Sequence, residues 1–498
     1  MGAIRRAGAV LVALLVVGGA ILAAGHLGRR SHEADANAVV RVHPGRPGAV
    51  VPPSFLGVSV EWDSVVAYVG PRRRPYRGLR RVLAPVARAA GTPPALRIGG
   101  DTADQAWWNP SGRARPPTVL QDVGPGTLDA VARLARAVGG PVTLGVNLAL
   151  RDPGNARELA AAARRRLPAG ALAALEIGNE PDLYDHGRVF RRGGHVHVRL
   201  TKDPHYNVEA YEKNVARYLA ALAGVGARRL VVAGFAGPAW WSALPALLRA
   251  WAPRAGALAL AAHLYAVPRC EAATPSTAWL MSPAASRERV GSLAPLLAIA
   301  RRHHLPVRVD ELNSAACGGR PRFSDSRAAA LWLADTLFAI LRAGAAGADV
   351  HTWRGALYAP FRVSGSRIVA RPPLAGMLAF ARAAPVGSRL IGVTVRGGAG
   401  LRAWATVDPA GTERVALLAP QAAHVVIHGL RPGGCARVWR TPAQHLRRTC
   451  AAALDLPARS MAVVTASCRP AAGRAAGCPG ASRGPRDGPR ATRTPPGR

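Results

Sequence analysis

The chain reads as a (β/α)8 barrel followed by a C-terminal antiparallel β-sandwich domain, and three observations lead there. Eight short apolar runs alternate with Ala/Leu/Arg-rich segments of helical period across residues 55–380. Strands that alternate with helices pair in parallel, and right-handed crossovers close eight of them into a barrel. Polar residues collect where those runs end, on the face where such barrels carry their sites. From residue 386 the pattern changes to short runs parted by Gly, Pro and Asp turns, which marks an antiparallel domain over 386–468. An open doubly wound sheet is the alternative for the first region; the count of eight argues against it.

The two ends stand apart from this body. Residues 1–30 hold Arg5-Arg6, an apolar run over 7–25 and Arg29-Arg30, the layout of an export signal. The run approaches the roughly 20 residues that span a bilayer, so it is either cleaved or kept as a membrane anchor. Ala34-Asp35-Ala36 offers a small-residue cleavage site. Either way the body is expected outside the cytoplasm, extracellular or at the cell surface. Residues 38–54 alternate as one or two strands that can join the β-domain. Residues 471–498 are Pro, Gly and Arg with little apolar content and read as a disordered tail.

Composition narrows the partners. At 498 residues and 49% hydrophobic, the chain can bury a large core. Its net charge of +38 resembles a nucleic-acid binder's, yet all the basic residues except Lys202 and Lys213 are arginine. Abundant Ala, Gly, Pro and Arg follow from a GC-rich coding sequence, and no basic helix interleaves with aromatics, so nucleic acid is not expected. An acidic ligand fits the charge. The 6 cysteines suit an oxidising compartment, and none has zinc-site spacing. Cys270 with Cys317, and Cys435 with Cys450, are candidate pairs.

The strand series begins with SFLGVSVEW at 54–62, then ALRIGGD at 95–101 and PVTLGVNL at 141–148. The fourth is LAALEIGNEPDLY at 172–184. Its apolar start fits a buried parallel strand, and Pro181 ends it by removing an N–H and restricting its neighbour. LVVAG at 230–234, LALAAHLY at 258–265, PVRVDE at 306–311 and ADVHTW at 348–353 complete the eight. Helical segments at 127–138, 156–166, 209–223 and 327–342 lie between them.

Placing these runs in a barrel brings specific side chains to one mouth. Arg97, Asp101 and Asp104 follow strand 2, Asn147 lies on strand 3, and Asn179 and Glu180 end strand 4. His263 and Tyr265 end strand 6; Glu311 and Asn313 end strand 7. Two carboxylates facing each other about 5–5.5 Å apart form the pair of a retaining glycosidase. Glu180 would protonate the leaving oxygen and later deprotonate water, while Glu311 would attack the anomeric carbon. Tyr265 can donate to Glu311, and Asn179 can bond the sugar 2-OH. Arg97 and His263 would support the pair. Asp310 rivals Glu311, but strand alternation lets only one of them face the axis. Trp62, Trp107, Trp108 and Trp353 lie near strand ends, where an aromatic face can stack on a sugar, although ordinary packing accounts for each.

LEIGNEPDLY, LRIGGDTAD, His263-Leu264-Tyr265 and VDELNSAACGG together resemble the heparanase and β-glucuronidase family, glycoside hydrolase family 79. The likeness covers most of the chain beyond residue 55. It implies Glu180 as acid/base and Glu311 as nucleophile. It also implies that Asp104 and Asn179 touch the sugar, and that Gly318, Gly319 and Tyr358 hold a uronate carboxylate. Ala316-Cys317 stands where members often carry a tyrosine before the Gly-Gly. The expectation is an exported retaining β-glycosidase acting on a β-linked glucuronide or other uronate-containing saccharide, with no cofactor and no metal. A retaining enzyme for a neutral sugar and a non-catalytic polysaccharide-binding wall protein are the alternatives; the presence of both glutamates argues against the binder.

Overall fold

The computed structural model describes residues 37–466 except 77, 118, 186–188, 193–194, 199–202, 254–255, 271, 431–435, 442–445 and 450–452. The expected export signal, the expected disordered tail and the candidate Cys435–Cys450 pair lie outside the described residues. No described helix is long and apolar enough to cross a membrane.

The eight runs form a closed parallel barrel. Its strands are β2 (Leu56–Glu61), β3 (Ala95–Gly99), β4 (Val142–Val146), β5 (Leu172–Ile177), β6 (Arg229–Phe235), β7 (Leu258–Val267), β8 (Val307–Ala315) and β9 (Gly347–Thr352). Each pairs with its sequence neighbour, and β9 closes on β2. These strands are buried along nearly their whole length, as helix-covered parallel strands must be. Local signals set the helices. Asp152 accepts from the Asn155 amide at the start of Pro153–Arg166, and Ser326 accepts from Ala329 N at the start of Arg327–Ala343, which ends on Gly344 at φ 89°.

The second domain is a single nine-stranded sheet in hydrogen-bonding terms. It begins with β1 (Ala38–Val50), an N-terminal strand, and continues with β10 (Arg389–Gly397), β11 (Arg402–Val407), β12 (Glu413–Ala419) and β13 (Ala423–His428). β14 (Ala436–Arg440), β15 (Leu446–Thr449), β16 (Ala453–Leu456) and β17 (Ser460–Ala466) complete it. The order is β15-β14-β17-β12-β11-β10-β1-β13-β16. β1 pairs antiparallel with β10 and parallel with β13, so the sheet is mixed at that point. One face, with Val40, Val415, Leu417, Val425 and Leu456, forms its own core. The opposite face sends Trp404, Leu418, Trp439 and Met461 into the barrel's core. At that junction the wholly buried Asp335 accepts from Ser286 Oγ at 2.5 Å and from Trp404 Nε1 at 2.8 Å.

Candidate active site

The site grows from the buried Arg97 on β3. Its guanidinium reaches across the barrel: Nε and Nη2 donate to Glu176 on β5 at 2.6 and 2.8 Å, and Nη1 donates to Glu311 at 2.8 Å. Nη1 also donates to Ser59 Oγ at 3.1 Å, and Nη2 to Asn179 Oδ1 at 3.0 Å. A single planar donor thereby orients two carboxylates and an amide. Removing it would strand buried charge, which costs about 3–5 kcal/mol.

Glu311 accepts from Tyr265 Oη at 2.7 Å on its other oxygen. Burial pushes its carboxyl up, but His263, His351 and Arg97 overcome that and hold it well below the usual carboxylate range. It is therefore an anion in a dry site, which suits a nucleophile. Burial keeps the Tyr265 phenol far above its ordinary value, with Glu311 adding to the effect, so it remains a donor.

Asp310 and Glu311 both reach the interior, which corrects the expectation that alternation allows only one. His263 pairs with Glu311 while Ala262 pairs with Val309, so Asp310 is an extra residue opposite β7. Such a bulge turns two successive side chains to the same face. The two carboxyls then meet different surroundings. Burial and the charge of Glu176 hold Asp310 well above the carboxylate range, outweighing Arg97 and His263. The Asp310 carboxyl thus holds a proton far more readily than the Glu311 carboxyl does.

Glu180 sits just past β5 with φ 47° and ψ 53°, a left-handed conformation uncommon outside glycine. Its amide donates to Gly234 O at 2.7 Å, which pins the turn to the next strand. Two carboxylates fix the loop around it. Asp104 accepts from Leu148 N and Asn179 N, both at 2.9 Å, and from Tyr184 Oη at 2.5 Å. Asp182 accepts from Ala236 N at 2.9 Å and Gly237 N at 3.2 Å. Burial pushes both of these carboxyls up to about 6.

His263 joins the two halves. Its Nδ1 lies 2.8 Å from Glu180 Oε1 and 3.7 Å from Glu311 Oε2. Burial lowers the imidazole, but Glu311, Glu180 and Asp310 together raise it to about 10. The folded state therefore holds this proton where the unfolded chain, near 6.5, releases it. That stabilisation is complete below about 6.5 and lost as pH rises through about 10. Thermal unfolding measured across this window should show falling stability, and His263→Asn should flatten the slope.

Two trios have metal-like spacing: Glu176, His263 and Asp310, and Glu180, His263 and Glu311, with ligand atoms within 4.8 Å of one another in each. His263 belongs to both trios, and Arg97 already places a positive charge among Glu176, Asp310 and Glu311.

The remaining expected residues lie around this centre. Asn179 donates to Asp101 Oδ1 at 3.3 Å. Asn147 donates to Ala106 O and Asn313 to His351 O on β9. The Tyr358 ring lies 6.3 Å from that of Tyr265, and its hydroxyl accepts from Trp353 Nε1 at 3.0 Å. Gly318 and Gly319, at φ 88° and 87°, pass close to Trp353 and Ser324, where a Cβ would collide. Gly319 N donates to Ala316 O at 3.2 Å, and Gly318 O accepts from Leu357 N at 2.6 Å. The Cys270–Cys317 disulfide, with Cα atoms 5.6 Å apart, ties this loop to the one after β7. Trp62, Trp107 and Trp108 are all buried, and Trp62 Nε1 donates to Gly145 O.

Sequence reasoning missed Glu176, Ser59, Glu61 and His351. His351 Nδ1 lies 3.0 Å from Ser59 Oγ, and its Nε2 lies 3.3 Å from Glu61. A signal was present: Glu176 and Glu61 each interrupt a run that is otherwise apolar or small, and His351 shares its strand with Asp349. A charge in a strand buried on both faces requires a partner inside the barrel.

No protein-family model matches the chain, and neither does any curated protein. Solved structures do. A 4-O-α-L-rhamnosyl-β-D-glucuronidase from Fusarium oxysporum 12S, in complex with Rha-GlcA, superposes with a TM-score of 0.67 at 20% identity, covering 86% of this chain and 100% of that one. The GH51 arabinofuranosidase from Xanthomonas axonopodis pv. citri gives 0.59 at 16% identity, covering 86% and 100%. CelM2, a bifunctional glucanase-xylanase from a metagenome library, gives 0.59 at 13% identity, covering 86% and 98%. At these identities the likeness is one of fold, and it spans barrel and sheet domain together.

Proposed function

We propose that the chain is an exported retaining β-glycosidase that hydrolyses a β-linked glucuronide by double displacement. The observation that carries this reading is the pairing of Glu180 and Glu311. Carboxylate oxygens of the two lie within 4.8 Å of each other. Facing oxygens this near are what the roughly 5–5.5 Å carboxyl spacing of a retaining pair brings together. Their surroundings also differ as the two roles require. Glu311 is an anion held by Arg97 and Tyr265, while Glu180 is at the mouth against a protonated His263.

In the first step a Glu311 oxygen attacks the anomeric carbon as the bond to the leaving oxygen breaks. The leaving oxygen takes its proton from the Glu180–His263 couple. The charge of Glu311 favours a proton on that couple, since it is the leading influence raising His263. Once Glu311 is esterified that charge is gone, so the couple holds a proton less tightly and stays deprotonated, ready to act as base in the second step. Glu180 then takes a proton from the water that displaces Glu311.

Glucuronide as substrate is supported by Tyr358 beside Tyr265, although the Gly319 N–H is taken by Ala316 O, and by the likeness to a structure named for a glucuronidase. Export is supported by the Cys270–Cys317 disulfide. Assay of nitrophenyl β-glucuronide, β-glucoside, β-xyloside and β-galactoside tests the reading. The glucuronide should be turned over fastest. Preference for a neutral sugar would reject uronate specificity and leave the double displacement standing.

A further inference from the structure

Trp353, at the end of β9, also lines a cleft of about 580 Å³ that none of the chemistry above uses. Its volume falls within the roughly 300–1,000 Å³ of ligand sites. The helix Val65–Val69 and the hairpin Phe361–Ser364/Arg367–Ala370 form its walls. They follow β2 and β9, neighbouring strands of the barrel, so the cleft opens on the same face as Glu180 and Glu311. Tyr76, Trp353 and Phe361 contribute rings, while Arg354, Arg362 and Arg371 contribute charge; no acidic residue is among the described lining residues.

The three guanidinia differ in how they are held. Arg371 is anchored by donating to Ala356 O at 2.9 Å, with Asp325 at 3.6 Å outside the cleft lining. Arg354 and Arg362 are exposed. Gathering like charges in a part-enclosed cleft is unfavourable until an anion enters, and arginine suits carboxylate or sulfate through paired N–H donors. Aromatic faces beside those donors suit the C–H face of a sugar ring.

We propose that this cleft is an accessory subsite for an anionic saccharide unit, with the ring against Tyr76 and Trp353 and the acid group between Arg354 and Arg362. It lies a short chain of contacts from the reaction. Trp353 donates to Tyr358, both pack with Tyr265, and Tyr265 donates to Glu311. The cleft's role as a subsite rests on the glycosidase reading; its capacity to bind an anionic saccharide does not.

The test is calorimetric titration of a tetrasaccharide of β-linked glucuronate, and of its carboxyl-reduced counterpart, into the full chain. Glu311→Gln prevents turnover, and the comparison adds Arg354→Gln with Arg362→Gln. These two arginines are exposed, so folding is unaffected. The arginine changes should weaken the acidic saccharide on the order of tenfold or more, reduce the salt dependence of its binding, and leave the reduced saccharide unchanged. On the otherwise wild-type chain they should leave turnover of nitrophenyl β-glucuronide unaltered. Equal affinity for the acidic saccharide in both backgrounds, equal loss for both saccharides, or no binding at all would overturn the proposal. Failure to hydrolyse any aryl glycoside would sink the glycosidase reading alone, because the titration does not depend on turnover.

Discussion

Glu311→Gln abolishes turnover, lowering kcat on a nitrophenyl β-glycoside by on the order of 10⁴-fold or more, as expected for loss of a covalent nucleophile. The change keeps the shape of the side chain, and its amide oxygen can still accept from Arg97 while the fold stays intact. It removes the charge that most raises His263, so the alkaline loss of stability moves to lower pH. Asp310→Asn is the matched control. Burial and Glu176 keep Asp310 protonated, so an amide of the same size replaces a neutral acid and activity stays near wild type. If Asp310→Asn were the inactive variant and Glu311→Gln the active one, the nucleophile would have been assigned to the wrong side of the bulge.

Glu180→Ala separates the two halves of the reaction. A group that only protonates the leaving oxygen matters most when that oxygen is a poor leaving group. Natural saccharides should therefore lose about 10²–10⁴-fold, the usual range for a missing general acid. A nitrophenyl glycoside should form the glycosyl-enzyme readily and then stall, since no base activates water. Azide needs no base; it should restore turnover and yield the β-glycosyl azide, because two inversions give retention. An α-azide would reveal a single displacement. Loss on both substrates without rescue would assign Glu180 a structural role.

Much of this was legible from residue patterns. Parallel strands buried on both faces are near-continuous apolar runs, so eight of them stand out, and an Asn-Glu-Pro at the end of one shows where that strand stops and Glu180 is delivered. What escaped was whatever depends on three-dimensional pairing. The bulge at Asp310 leaves no mark in the sequence, because PVRVDE alternates like any strand. It appears only in how β8 registers against β7, and it turns two competing carboxylates into partners of opposite protonation. Glu176 escaped for a related reason. Its partner Arg97 is 79 residues away, and only barrel closure brings them together. The sheet's continuity was likewise hidden, since short runs between turns do not reveal whether they fold as two layers or one curled sheet.

The position of β1 governs the order in which this molecule can be assembled. The first described strand lies between β10 and β13, deep in a sheet whose other members are made last. Residues 38–50 must therefore wait, unpaired, until nearly the whole chain exists, which makes their closure a contact of very long loop length and a late event in folding. The consequence reaches expression. Residues 386–466 produced alone would have a sheet parted between six strands ending at β10 and the pair β13-β16, with two raw edges ready to pair with other molecules. Adding a peptide of residues 38–50 in trans should fill that slot and lower the fragment's aggregation without abolishing it, since the face that packs on the barrel stays exposed; sedimentation with and without the peptide reads the difference.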